Sequence, residues 1–175
     1  DNNSQGIYSV YSDYYGDSVS KIENTQINNN VFSNNGTAVA LNMNQRDFES
    51  LDLVNNEFFS NSTAVSIGGG GYGPRAHSIS VTDNWIHNNG NGISFPKFYG
   101  TPWEDDNVPE YQVIVRNNKV VDNTGNPLSI GRDGGVKFLI EDNVLANNVG
   151  GISLTSSQSA SSIFRRNSVE NNTYG

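Results

Sequence analysis

Asparagine recurs in this chain as pairs five residues apart: Asn30/Asn35, Asn56/Asn61, Asn84/Asn89, Asn118/Asn123, Asn143/Asn148 and Asn167/Asn172. Every pair sits in the same apolar frame, and the frame returns at intervals of roughly 24 to 34 residues, the range in which one supersecondary unit stacks on itself. The second residue after each first Asn is apolar: Phe32, Phe58, Ile86, Val120, Leu145 and Val169. The positions five and three before it also alternate with polar neighbours, as in Leu51/Leu53, Ile79/Val81, Val113/Val115 and Phe138/Ile140. That is the period-2 mark of a strand with one buried face. The outermost repeats fit less well, with Thr25/Ile27 and Ser162/Phe164.

After each second Asn comes a small residue and another alternating stretch, as in Ala38-Val39-Ala40-Leu41, Ala64-Val65-Ser66-Ile67, Gly92-Ile93-Ser94-Phe95 and Gly151-Ile152-Ser153-Leu154. Pro127-Leu128-Ser129-Ile130 follows one residue later than the others. Each repeat therefore holds three short strands and three turns, without helical periodicity between them. Such strands stack in register at about 4.8 Å per coil. The expected fold is all-β, a parallel β-helix of about six coils with two asparagine corner ladders. A ladder explains the amide, because each side chain donates to the coil on one side and accepts from the other. Asn also tolerates the left-handed backbone of a sharp corner. A disordered Asn-rich tract would not keep the apolar phase.

With 34% hydrophobic residues in 175, a compact core would be marginal, whereas a thin solenoid needs few inward residues per strand. One elongated domain spanning 1–175 is expected. Asn3-Ser4-Gln5-Gly6-Ile7 aligns with Asn35-Gly36-Thr37-Ala38-Val39, so both ends of the sequence fall at the same corner and show no cap. Because open sheet edges need covering, we expect a segment of a longer solenoid, or ends covered by another chain, with a homotrimer as one such arrangement. A formal charge of −8, with Lys and Arg nowhere clustered, argues against a nucleic-acid partner. No apolar run is long enough for a membrane span. The sequons at Asn35 and Asn61 lie inside the ladder and read as structural; Asn2 and Asn171 are better placed as glycan acceptors.

The paired-Asn frame resembles the right-handed parallel β-helix superfamily, the pectate-lyase-like fold with its parallel β-helix repeats. The likeness covers nearly the whole chain and is specific for fold rather than for activity. It implies an Asn corner between the second and third strands and long variable turns after the third. The long connections here, 42–50, 68–78, 96–112, 131–136 and 155–161, agree with this. The resemblance further implies a polysaccharide groove on the outer face of the first strand, walled by those turns. An extracellular or cell-surface β-helix that binds and cleaves an acidic polysaccharide, as a lyase or glycoside hydrolase, is the leading expectation. A non-catalytic adhesion or tail-fibre-type module is the rival.

The candidate chemistry follows from that placement. Arg116, Glu141 and Arg165 fall in one outward column, either a surface ion-pair ladder or arginine clamps for uronate carboxylates. Ile114, Leu139 and Ile163 stack beside them as an apolar stripe expected to be covered. The longest turn carries Lys97, Tyr99, Trp103, Asp105 and Asp106, with Arg75 and His77 in the turn below and Arg132 and Asp133 in the turn above. A lyase needs a base and a cation, which Lys97, His77, Arg75 and Arg132 can supply. A hydrolase needs two carboxylates, drawn from Asp105, Asp106, Asp133 and Glu141. Substrate contacts are assigned to Arg75, Tyr99, Trp103, Arg116 and Arg165. No cofactor is required, although Asp105, Asp106 and Asp133 offer oxygen ligands for Ca²⁺; the acidic turn also reads as a solvated charge run. On a second outer face, Glu57, Trp85 and Lys119 form one column and Phe59, His87 and Val121 the next. Trp85 there is an indole suited either to a sugar ring or to packing under a further segment. His87 beside it reads as a solvated or hydrogen-bonded side chain.

Overall fold

A computed structural model describes residues 5–11, 21–22, 24–43, 47–68, 78–98, 110–132, 136–155 and 162–174. Among these the only regular elements are β-strands, and they form three six-stranded parallel sheets. The first sheet contains Thr25–Asn28, Leu51–Val54, Ile79–Thr82, Val113–Arg116, Phe138–Glu141 and Ile163–Arg165. The second is built from the strands between paired asparagines, Val31–Ser33, Glu57–Phe59, Trp85–His87, Lys119–Val121, Val144–Ala146 and Ser168–Glu170. The third holds Gln5–Tyr11, Thr37–Met43, Thr63–Gly68, Asn91–Lys97, Leu128–Arg132 and Ser153–Leu154.

In chain order the described strands make five complete coils, with one third-sheet strand before them and first- and second-sheet strands after them. That is slightly fewer whole coils than the six expected. The register is the one the repeat demands: Leu51, Ile79, Val113 and Phe138 are successive partners, as are Phe58, Ile86, Val120 and Leu145. A short pairing of Lys21–Ile22 with Asp47–Phe48, absent from the repeat pattern, joins the segment before Thr25 to the long connection at 42–50.

Inward side chains from all three sheets fill a narrow core. Leu51, Leu53, Phe58, Val65, Ile67, Val81, Ile86, Val113 and Val120 are fully buried. Phe32 stacks on Phe58 with ring centroids 5.0 Å apart. Where the third sheet turns toward the first, Phe98 and Val136 are also buried, and Phe95 meets Phe138 edge-on at 5.5 Å. The weaker periodicity of the last repeat has a structural counterpart, since Phe164 and Val169 face inward on a coil with no described coil above and are 42% and 46% exposed.

The two asparagine ladders hold the coils together. In one, Asn30, Asn56, Asn84, Asn118 and Asn143 each donate from Nδ2 to the Oδ1 of the next, at 2.9–3.2 Å. In the other, Asn35, Asn61, Asn89, Asn123 and Asn148 do the same at 2.8–3.1 Å. Each Oδ1 also accepts the backbone N–H of the preceding ladder residue, as Asn118 Oδ1 does from Asn84 at 3.0 Å. From the second rung on, each Nδ2 reaches back to a carbonyl of the preceding coil, as Asn118 does to Val81 at 2.8 Å, whereas Asn30 and Asn35 donate to Asn28 and Ser33 of their own coil. The buried corners are thereby satisfied without water. Burial of Asn35 and Asn61 within this network agrees with reading their sequons as structural.

One detail of the corner departs from the sequence reading. The left-handed residue is not the ladder Asn but the one before it. Asn29, Asn34, Asn55, Ser60, Asp83, Asn88, Asn117, Asp122, Asp142, Asn147, Arg166 and Asn171 all have φ between 52° and 60°. The division of labour is physical, since the ladder residue must aim its amide along the stack while its predecessor makes the bend. This is why the corners read Asn-Asn or Asp-Asn, with Ser60 and Arg166 as the departures.

Candidate functional site

The expected column on the outer face of the first sheet is present. Arg116, Glu141 and Arg165 are register partners on successive coils. Glu141, placed outward by the strand alternation, is nonetheless only 2% exposed, because guanidinium groups enclose it. One carboxylate oxygen pairs with Arg116 Nη2; the other accepts Arg165 Nε at 2.7 Å and Arg166 Nη2 at 2.7 Å. Arg166 also grips Asp142 with two bonds, Nε to Oδ1 at 2.7 Å and Nη2 to Oδ2 at 2.8 Å. Asp142 and Arg166 were not singled out by the sequence analysis. They occupy the left-handed corner position of adjacent coils, a column that becomes legible once the residue before each first ladder Asn is read as a row of its own.

The electrostatics follow from the pairing. The Arg165 guanidinium holds the Glu141 carboxyl below the usual carboxylate range, with Arg116 adding to the effect and burial opposing it. Arg166 does the same for Asp142. Tyr111 lies within electrostatic reach of Arg165 and Glu141; burial, helped by a hydrogen bond to Glu110, pushes its phenol up. Three guanidiniums against two carboxylates leave one excess positive charge. The arginine side chains are 41%, 49% and 55% exposed, so that charge faces solvent while the carboxylate stays inside. Arg116 Nε is buried without a hydrogen-bond partner. The apolar stripe beside the column is covered in part, with Leu139 buried and Ile114 and Ile163 half-buried.

The remaining candidates fall elsewhere. Lys97 and Arg132 are register partners at the ends of third-sheet strands, and Lys97 is half-buried. They are thus brought together, on a different sheet from Glu141. Arg75, His77, Tyr99, Trp103, Asp105, Asp106 and Asp133 lie outside the described residues. Among the described residues no three His, Cys, Asp or Glu side chains gather in a way that would hold a metal ion. The described residues contain no helix long and apolar enough to cross a membrane.

The second outer face is more built than its sequence suggested. Trp85, 45% exposed, stacks on His87 with centroids 4.1 Å apart, and His87 stacks in turn on Phe59 at 5.6 Å. His87 is held from both sides, by the Asn88 amide at Nδ1, 2.9 Å, and by Glu57 at Nε2, 3.1 Å. An amide nitrogen can only donate, so Nδ1 accepts and the ring proton sits on Nε2, donating to Glu57. Lys119 places its ammonium 5.8 Å from the Trp85 ring centre. On the third sheet, Thr37, Thr63, Ser66, Asn91, Ser94 and Ser129 line a shallow polar trough of about 250 Å³. Comparison of the chain with protein-family models, with curated proteins and with solved structures finds no match.

Proposed function

We propose that this β-solenoid is a secreted or surface protein that binds an acidic polysaccharide along the outer face of its first sheet and cleaves it, by elimination or hydrolysis. The winding in this reading is right-handed and pectate-lyase-like, in keeping with the handedness of parallel crossovers. The observation that carries the binding half is the outward excess of guanidinium charge at Arg116, Arg165 and Arg166 in a chain of net charge −8. Planar, fixed guanidinium forks suit the carboxylates of a uronate chain. Glu141 contributes by locking those forks in place from beneath.

The cleavage half rests on Lys97 and Arg132, a base and a cation on strands in register, together with the acidic run at 104–106 in the sequence. A non-catalytic binding module is the second reading. It is favoured by one observation: both carboxylates of the arginine cluster are held down, so neither is poised as the proton donor that glycoside hydrolysis needs. Incubation with polygalacturonate and alginate, followed for unsaturated products and for new reducing ends, separates the two. Retention on immobilised polyuronate at low salt, lost in an Arg116→Gln/Arg165→Gln variant, is the expected result for binding. Equal retention of that variant, or no salt dependence, would overturn the assignment of the first-sheet face.

A further inference from the structure

The ring row of the second sheet is not used by the first-sheet groove, and its chemistry is specific. Isolated exposed aromatics on a solenoid need no explanation, but three rings in consecutive contact, each fixed by a neighbour, do. Phe59 and His87 are register partners on adjacent coils, and Trp85 is two residues before His87 on the same face. Bonds to Glu57 and Asn88 prevent the imidazole from turning, which in turn supports the indole. The outcome is a preorganised platform, and the exposed part of the indole is its working surface.

We infer that this platform is a binding subsite for a pyranose unit carrying a carboxylate, with Trp85 under the sugar ring and Lys119 pairing with the acid group. Three features select that ligand. The C–H face of a pyranose ring is apolar and flat, and it matches an indole held half out of the surface. Glu57 and Lys119 are the register partners of Trp85 on the coils to either side, so one column reads carboxylate, indole, ammonium. No carboxylate among the described residues pairs with Lys119, whereas Glu57 is already bound to His87 and offers its remaining oxygen to sugar hydroxyls. Cation and ring together favour an anionic sugar over a neutral one, and they occur in a protein whose overall charge would otherwise repel it.

This inference takes its ligand class from the preceding proposal but stands on another face and other residues, so the two fail separately. The chain has two tryptophans, so the Trp85 signal is taken as the part of the fluorescence response that Trp85→Phe removes. Titration with a galacturonate tetramer is expected to change that signal saturably, and a neutral glucose tetramer to bind about tenfold more weakly. Lys119→Gln, at an exposed side chain, is expected to abolish that preference. Trp85→Ala is expected to weaken binding of the galacturonate tetramer, read by calorimetry, about tenfold or more. Arg116→Gln/Arg165→Gln should leave the Trp85 response intact while reducing retention on long polyuronate. A Trp85 signal that does not respond to the galacturonate tetramer would overturn the subsite. So would a preference for the acidic sugar that survives Lys119→Gln, or a response abolished by the first-sheet arginine changes.

Discussion

Replacing Asn118 by alanine tests whether the ladder, rather than the apolar core alone, holds neighbouring coils in register. The Asn118 side chain accepts the Asn84 N–H at 3.0 Å and Asn84 Nδ2 at 2.9 Å. It donates to the Val81 carbonyl at 2.8 Å and to Asn143 Oδ1 at 3.0 Å. Asn84, Asn118 and Asn143 are each 2% exposed or less, so water does not take over these bonds. Alanine orphans the Asn84 N–H outright, while the Asn84 amide keeps the Leu53 and Thr82 carbonyls as acceptors. One orphaned buried donor costs about 1–3 kcal/mol and each of the three further lost bonds about 1 kcal/mol, so the total is about 4–6 kcal/mol. That is a large share of the stability of an ordinary domain. Asn30→Ala is the matched control, because its exposed amide donates to the Asn28 carbonyl and to Asn56 Oδ1, which keeps the Asn30 N–H, so no buried donor among the described residues is orphaned; the expected loss there is about 1 kcal/mol. Urea unfolding followed by far-UV circular dichroism measures the difference. Hydrogen exchange at residues 79–87 and 113–121 locates it, as solenoids open in blocks. If Asn118→Ala and Asn30→Ala cost the same within about 1 kcal/mol, the ladder is not the register element and the reasoning fails.

Two further outcomes follow from the corners and the charge cluster. Asn117 bends the chain at φ 55°, so Asn117→Val should lower stability by about 1–2 kcal/mol, while Ser60→Gly at the same φ should leave it unchanged or raise it by up to about 1 kcal/mol; equal effects in urea midpoints would refute the left-handed assignment. Glu141 and Asp142 have folded-state pKa values below their ordinary 4.5 and 3.8, so their stabilisation is complete above that range and is lost as pH falls through the depressed values. The urea midpoint should therefore drop on acidification below about pH 4, with a shallower drop in Glu141→Gln, and an unchanged slope in that variant would count against the cluster.

The fold was legible because the repeat writes one physical constraint many times. Period-2 alternation at Leu51/Leu53 or Val113/Val115 names the inward face, and the Asn spacing names the corners, so sheets, register and long turns all follow. What was not legible is equally physical. The burial of Glu141 depends on three arginines folding over it, which no strand alternation encodes. The partnership of Asp142 with Arg166 hides at the left-handed position, a column that becomes visible only when the bend is assigned to the residue before the ladder Asn. The stacking of Trp85 on His87 could be placed on a face from its i, i+2 spacing, but the anchoring of the imidazole by Asn88 and Glu57 required coordinates. Seven of the candidate residues fall between the repeat motifs of the sequence, where the repeat imposes no geometry and sequence spacing says nothing about distance.

The architecture separates stability from recognition in a way that bears on both proposed faces. Amides and apolar side chains point inward and fix the rise between coils, so outward positions are free to carry chemistry at a set spacing. Arg116 and Lys119 illustrate the consequence, since they flank Asn117 and the ladder residue Asn118 and point from two different sheets. Their separation is dictated by a left-handed bend and by an amide with four side-chain hydrogen bonds. A cation on a flexible loop would lose conformational freedom on gripping a carboxylate, whereas these begin from strands that are already ordered. The same rigidity fixes the spacing of the charges that each column presents. Both proposals rest on that spacing, since the ligand they assign is a polymer whose charges repeat along its length.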